Sequence, residues 1–152
     1  GPSQGVAEGR LMVSGWSAGG HLTATVLAMD EVDAGLAISG IYDVEPCRLN
    51  YLNDNLRLTA AEAAATSPIR HLPARSAPVT LAYGTGELPE LQRQSVAYHE
   101  ARRAAGLPSR LLALDGLNHF SIMDELTRPD GRLVAAAQAL LSAPAPARGG
   151  TG

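Results

Sequence analysis

A serine set between two glycines, Gly15-Trp16-Ser17-Ala18-Gly19, follows directly on the apolar run Leu11-Met12-Val13. G-x-S-x-G between a strand and a helix is the pattern of a nucleophile elbow. A serine at the apex of so tight a turn holds a strained backbone, and the glycines remove side chains that would strike the neighbouring strand and helix. The turn lifts the hydroxyl clear of the sheet. It also sets it at a helix N-terminus, where backbone N–H groups and the helix dipole favour negative charge. The plain alternative is an ordinary glycine-rich strand–helix turn, since composition alone yields such a match in roughly one chain in ten of this length.

A serine hydroxyl is a poor nucleophile at neutral pH and needs a base within hydrogen-bond reach. The chain has four histidines. His119, in the loop Gly116-Leu117-Asn118-His119-Phe120 after the last strand, is the best placed. His21 lies one helical turn past Ser17, His71 falls in an irregular stretch, and His99 is mid-helix. A base of this kind needs an acid to hold its tautomer. Glu87, just past the third strand in Tyr83-Gly84-Thr85-Gly86-Glu87, is the first candidate. Asp43, past the second strand, is a rival that could equally cap a helix. Asp115 lies close to His119 in sequence, and Glu90 suits the first turn of a helix. The backbone N–H of Ala18 is the candidate oxyanion donor. Trp16, Tyr42 and Phe120, with Tyr51, are candidates to line a substrate pocket, or else ordinary core and surface aromatics.

Strands and helices must alternate to bring these residues together. The apolar pattern predicts strands over 10–14, 34–39, 78–83 and 110–114. It predicts helices over 18–29, 89–105, 120–126 and 132–141, with Leu22, Val26, Leu27 and Met29 packing the first helix onto the sheet. Thr59-Ala60-Ala61-Glu62 is a capping box that opens a short alanine-rich helix, and Ser67-Pro68 closes it. Strands alternating with helices predict an α/β fold, a parallel sheet with flanking helices, whose ligands sit at the carboxyl ends of the strands. Ser17, Glu87 and His119 all fall just past such ends.

The chain has 152 residues, 45% hydrophobic, with a net charge of −3. That predicts one domain over 1–142 followed by a flexible Pro/Ala/Gly tail over 143–152. No basic stripe invites nucleic acid, and no apolar run approaches the twenty residues of a membrane span. One cysteine, Cys47, excludes an internal disulfide and a multi-cysteine metal site. The expectation is a cytoplasmic protein with no cofactor.

Several stretches together resemble the α/β-hydrolase superfamily. They are Gly15-Trp16-Ser17-Ala18-Gly19-Gly20-His21-Leu22, Ser39-Gly40-Ile41-Tyr42-Asp43, Ser67-Pro68, Glu87-Leu88-Pro89-Glu90-Leu91-Gln92-Arg93-Gln94-Ser95 and Asn118-His119-Phe120. The closer resemblance is to arylformamidases (kynurenine formamidase-like) and to hormone-sensitive-lipase-like esterases, over residues 10 to about 126. The chain order Ser…acid…His agrees. The family commonly has Asp where Glu87 stands, and His or Asp where Trp16 stands. Its fold has about eight strands where four are counted here, and its His-Gly-Gly oxyanion loop does not occur in the sequence. The chain therefore looks like the C-terminal half of a hydrolase. Its first strand would present an exposed edge that pairs with the missing N-terminal half or with a second copy.

The resemblance implies a serine hydrolase that cleaves a small formyl-amide or short-chain acyl ester through Ser17, His119 and Glu87. The alternative is a catalytically impaired remnant that binds a ligand or partner. Metal-dependent hydrolysis is disfavoured, because the histidines show no ligand pair at helical spacing.

Overall fold

The computed structural model describes residues 10–44 and 59–143. Cys47, Tyr51 and the tail beyond residue 143 lie outside the described residues. Four strands, β1 (Met12–Trp16), β2 (Ala34–Ile38), β3 (Val79–Gly84) and β4 (Ser109–Leu114), form one sheet in the order β1-β2-β3-β4. Every pairing is parallel, with Trp16 opposite Ile38, Ile38 opposite Ala82, and Gly84 opposite Leu114. Between and after the strands run α1 (Ala18–Thr25), α2 (Ala60–Ala65), α3 (Pro89–Ala104), α4 (Asp124–Thr127) and α5 (Arg132–Ser142), with single 3₁₀ turns at Pro68–Arg70 and Ser121–Met123.

β2 (Ala-Gly-Leu-Ala-Ile) is buried along its whole length, as an interior parallel strand covered on both faces must be. Its alternate residues feed two cores. Ala37 joins Leu27, Val79, Leu81 and Tyr98 beneath α1 and α3. Leu36 and Ile38 join Ala82, Leu114, Ile122 and Leu133 on the opposite face, which α5 covers.

Several boundaries differ from the sequence expectation by a residue or two, the expected helix over 120–126 is a 3₁₀ turn followed by the short α4, and two differences bear on the site. β1 runs to Trp16, two residues further than the apolar run suggests, because Gly15 and Trp16 continue the ladder with Ala37 and Ile38. The whole change of direction then falls on Ser17. Helix α1 ends at Thr25, and its buried face is Gly20, Thr23 and Ala24, continued by Leu27. Leu22 and Met29, expected to pack on the sheet, are 63% and 50% exposed. Small residues line the inner face instead, so α1 lies close against β1 and β2.

The capping box forms as expected. Thr59 Oγ1 accepts from Glu62 N–H at 3.1 Å, and Glu62 Oε1 accepts from Thr59 N–H at 2.9 Å. Helix α3 presents Gln94, Ser95, Tyr98 and Arg102 inward and stops at Gly106, whose φ of 78° lets the Leu107 N–H reach back to Arg102 O at 2.9 Å. The fully buried Arg102 guanidinium donates through Nη2 to Ser76 Oγ and to the carbonyls of Ala77 and Pro108. It thereby anchors the chain entering β3 and β4. Among the described residues, no helix is long and apolar enough to cross a membrane.

Interior parallel strands carry most of the cohesion. Leu81→Ala, at a site with no exposure, is expected to cost about 2–5 kcal/mol in urea unfolding. Leu22→Ala should change stability by no more than about 0.5 kcal/mol. Equal losses at the two sites would contradict the burial pattern.

Stability should also fall on acidification. Burial, then Arg103, pushes the His99 imidazole below its ordinary 6.5, against the pull of Glu100. The unfolded chain therefore takes this proton first, and stability is lost as pH falls through 6.5. The Arg93 hydrogen bond lowers the Glu90 carboxyl. Glu125 is held down first by the Arg132 backbone N–H, then by the Arg132 and Arg128 side chains. Both carboxylates contribute stability that is present above 4.5 and lost below it. A urea midpoint that stays constant between about pH 7.5 and 5.5 would rule out the His99 contribution.

Candidate active site

Ser17 closes β1 and opens α1 with φ 60° and ψ −116°. That left-handed conformation costs a non-glycine residue about 1–3 kcal/mol and persists only where its surroundings fix it. Three backbone bonds do so here. Ser17 N–H donates to Ile38 O at 2.8 Å, and Ser17 O accepts from the N–H groups of Gly20 and His21 at 2.9 and 3.3 Å. The flanking glycine is obligatory, since a Cβ on Gly15 would lie 2.2 Å from Gly19 O. Ala18 is the first residue of α1, so its N–H belongs to the helix turn that has no internal acceptor.

His119 reaches Ser17 from the far side of the sheet. Its Nε2 lies 3.1 Å from Ser17 Oγ, and its Nδ1 lies 2.9 Å from Glu87 Oε1. The tautomer with hydrogen on Nδ1 donates to Glu87 and leaves Nε2 to accept the serine O–H. The Asn118 side chain shapes this loop by accepting from the N–H groups of Phe120 and Ser121, each at 2.8 Å. Trp16 braces it from below. The indole N–H donates to His119 O at 2.7 Å, and the indole ring lies 4.9 Å from the imidazole. Phe120 meets the imidazole edge-on at 5.5 Å and Trp16 at 5.9 Å, while remaining 72% exposed. Trp16 and Phe120 thus flank the His119 imidazole.

The Glu87 side chain has no exposed surface. Its Oε2 accepts from Ser39 Oγ–H at 2.6 Å and from Gly84 N–H at 2.7 Å, which leaves Oε1 for His119. Gln92 holds the loop backbone by donating to Glu87 O at 2.7 Å. Gly84 is a second obligatory glycine, since a Cβ there would lie 2.0 Å from Leu117 O, in the segment that carries His119. Gly86 N–H, by donating to Leu117 O at 2.9 Å, joins the two loops.

The structure therefore brings Ser17, His119 and Glu87 into one hydrogen-bonded chain and leaves the rival groups elsewhere. Asp43 meets Arg70 at 3.4 Å and Ser67 Oγ at 3.5 Å. Asp115 accepts from Thr85 Oγ1. Glu90 pairs with Arg93 in the first turns of α3. His21 and His71 contact the carbonyls of Thr66 and Ala64, and His99 contacts Ser109 Oγ.

Tyr42 is a correction to the sequence reading. It has no exposed surface and stacks on Tyr98 at 4.5 Å, so among the described residues it is part of the core. Burial, with Tyr98 adding to it, pushes its phenol pKa up. Ser39 is the residue that sequence reasoning passed over. The signal for it was positional: a hydroxyl that ends an all-apolar strand at the edge of the sheet where ligands bind.

Comparison with known proteins agrees with this architecture. The chain is 33% identical over 129 residues to a kynurenine formamidase of Danio rerio, covering 76% of this chain and 44% of the relative. It is 29% identical to a kynurenine formamidase of Salmo salar, covering 81% of this chain and 47% of the relative. Among solved structures, a thioesterase-like protein from a Silicibacter species superposes with a TM-score of 0.75 at 26% identity, over 89% of this chain and 51% of the other. An esterase of Thermogutta terrifontis superposes at 0.60 and 23% identity, covering 85% and 51% of the two chains, which speaks to fold alone. The chain carries part of the α/β-hydrolase fold and is similar to these proteins over most of its own length. It spans about half the length of the curated relatives it matches, so its four strands form part of the α/β-hydrolase sheet. No family model matches it.

Within that fold, the Gly84–Leu117 contact sets the distance between the loop of Glu87 and the loop of His119. Gly84→Ala should push the loops apart and cost about 1–3 kcal/mol by overpacking. It should also abolish reaction of Ser17 with a fluorophosphonate, read by intact mass. Unchanged reactivity would show that the loops adjust without harm.

Proposed function

We propose that this protein is a serine hydrolase of the arylformamidase or carboxylesterase type, working through a Ser17–His119–Glu87 triad at a nucleophile elbow. The hydrogen-bonded chain from Ser17 Oγ through His119 to the buried Glu87 carboxyl carries this reading. The naming of the relatives, kynurenine formamidase in two fish, supports the substrate class. A small formyl-amide or short acyl ester would place its carbonyl carbon against Ser17 Oγ. The hydroxyl oxygen attacks, and its proton passes to His119 Nε2. Charge then gathers on the carbonyl oxygen, toward the Ala18 N–H at the start of α1. Collapse of this intermediate breaks the bond to the amine or alcohol, which takes the proton from His119. Water, deprotonated by the same nitrogen, clears the acyl-serine and releases formate or a short acid. Glu87 holds the imidazole in the required tautomer throughout. Trp16 and Phe120 offer aromatic faces beside the base, which suits an aryl leaving group. A cytoplasmic setting fits the single cysteine.

The same reading extends to the open edge of the sheet. β1 pairs only with β2 among the described residues, and Leu11 beside it is 50% exposed. We infer that β1 takes a further strand from the other half of such a fold, and that this half supplies a second oxyanion donor. Without it the edge should drive self-association. Light scattering of the 152-residue chain is expected to show oligomers. A monomer that melts cooperatively would overturn the pairing.

For the chemistry, intact mass after treatment with a fluorophosphonate needs no guess at substrate. A single adduct on the wild type that is absent from Ser17→Ala is expected. Glu87→Gln should slow the labelling by about 10³–10⁴-fold while the protein stays folded. A folded sample that takes no label would refute the hydrolase reading and favour the binding alternative.

A further inference from the structure

We propose that Ser39 is a positioning residue for the acid, a fourth member of the relay that acts through Glu87 and never touches substrate. The inference deepens the serine-hydrolase reading and rests on it. Ser39 has no exposed surface and ends β2, with its N–H bonded to Ala82 O at 2.7 Å. Its hydroxyl donates to Glu87 Oε2 at 2.6 Å. The same oxygen accepts from Gly84 N–H at 2.7 Å, so one carboxyl oxygen is held by two donors and the other is turned to His119 Nδ1 at 2.9 Å.

The need for such a clamp follows from the residue type. A glutamate has one more rotatable bond than an aspartate, and a buried carboxyl with a free torsion would swing off the imidazole. Ser39 and Gly84 N–H fix that torsion from the side opposite His119.

The backbone of Ser39 points the same way. Its φ is 51°, in the left-handed region that glycine occupies without penalty and serine does not. For the turn alone, glycine would be the better residue. The hydroxyl is what serine adds, and the structure directs it at the acid.

Ser39→Gly therefore separates the two roles, since it suits the backbone and deletes the hydroxyl. It is expected to stay folded with an unchanged circular dichroism spectrum, yet to lower the fluorophosphonate rate by about 10–100-fold, the range for losing a hydrogen bond to a charged group. In an Glu87→Gln background the same substitution should add little, because the two residues act as one unit.

A second readout does not depend on activity. The proton between His119 Nδ1 and Glu87 should give a far low-field NMR signal that weakens or vanishes in Ser39→Gly. Labelling of Ser39→Gly at the wild-type rate would overturn the proposal, as would fully additive losses in the double variant or an unaltered low-field proton. A wild type that takes no label but whose low-field proton is lost in Ser39→Gly would sink the hydrolase reading while leaving the clamp in place.

Discussion

Everything at this site depends on four parallel strands ending in line. Three backbone hydrogen bonds run across their carboxyl ends like a tie. Ser17 N–H donates to Ile38 O at 2.8 Å, Ser39 N–H to Ala82 O at 2.7 Å, and Thr85 N–H to Leu114 O at 3.1 Å. Each joins the residue just past one strand to the neighbouring strand, at its last residue in β2 and β4 and two residues before its end in β3. A parallel ladder permits this because its register carries every strand in the same direction. Antiparallel neighbours would send alternate ends to the opposite edge. Once the ends are aligned, short loops suffice. Glu87 stands three residues beyond β3 and His119 five beyond β4, and both reach inward over the same edge to meet Ser17.

The tie also explains where strain can be stored. The two non-glycine residues with positive φ among the described residues, Ser17 and Ser39, are the two serines it passes through. Each holds a conformation that costs about 1–3 kcal/mol. Each follows a strand whose last residue packs into the same hydrophobic core, Trp16 for β1 and Ile38 for β2. The buried strands β2 and β3 supply the rigidity that keeps these turns from relaxing. A looser sheet would let Ser17 unwind into the helix that follows and withdraw its hydroxyl from His119.

The sequence made the chemistry more legible than the packing. G-x-S-x-G, the Glu87 loop and Asn118-His119 are local patterns, and their positions past strand ends follow from hydrophobic runs a few residues long. The four strands, their parallel sheet and the capping box at Thr59 were legible for the same reason. Four things were not. The end of β1 was hidden because Gly15 reads as a turn residue, although it continues the ladder. The inner face of α1 was misread because hydrophobicity pointed to Leu22 and Met29, while close approach to the sheet selects Gly20, Thr23 and Ala24. Tyr42 lies in a stretch rich in site residues, yet its side chain turns inward to stack on Tyr98. That depends on a helix more than fifty positions away and leaves no local mark. Ser39 was missed for a related reason. Its partner Glu87 is distant in sequence, and only the register of β2 against β3 brings them together.

On the proposed hydrolase reading, the architecture divides the work of acyl transfer unevenly. Ser17, Ser39, Glu87 and His119 follow β1, β2, β3 and β4 in turn, so the hydrogen-bonded chain closes within these four strands. Anion stabilisation is not built in the same way. Ala18 N–H comes with the elbow, whereas a second donor would approach Ser17 from the side away from His119, where β1 has no further strand paired to it among the described residues. One oxyanion donor accounts for roughly 10²–10³ in rate. A relay with one donor would thus retain a reactive serine but lose much of its turnover.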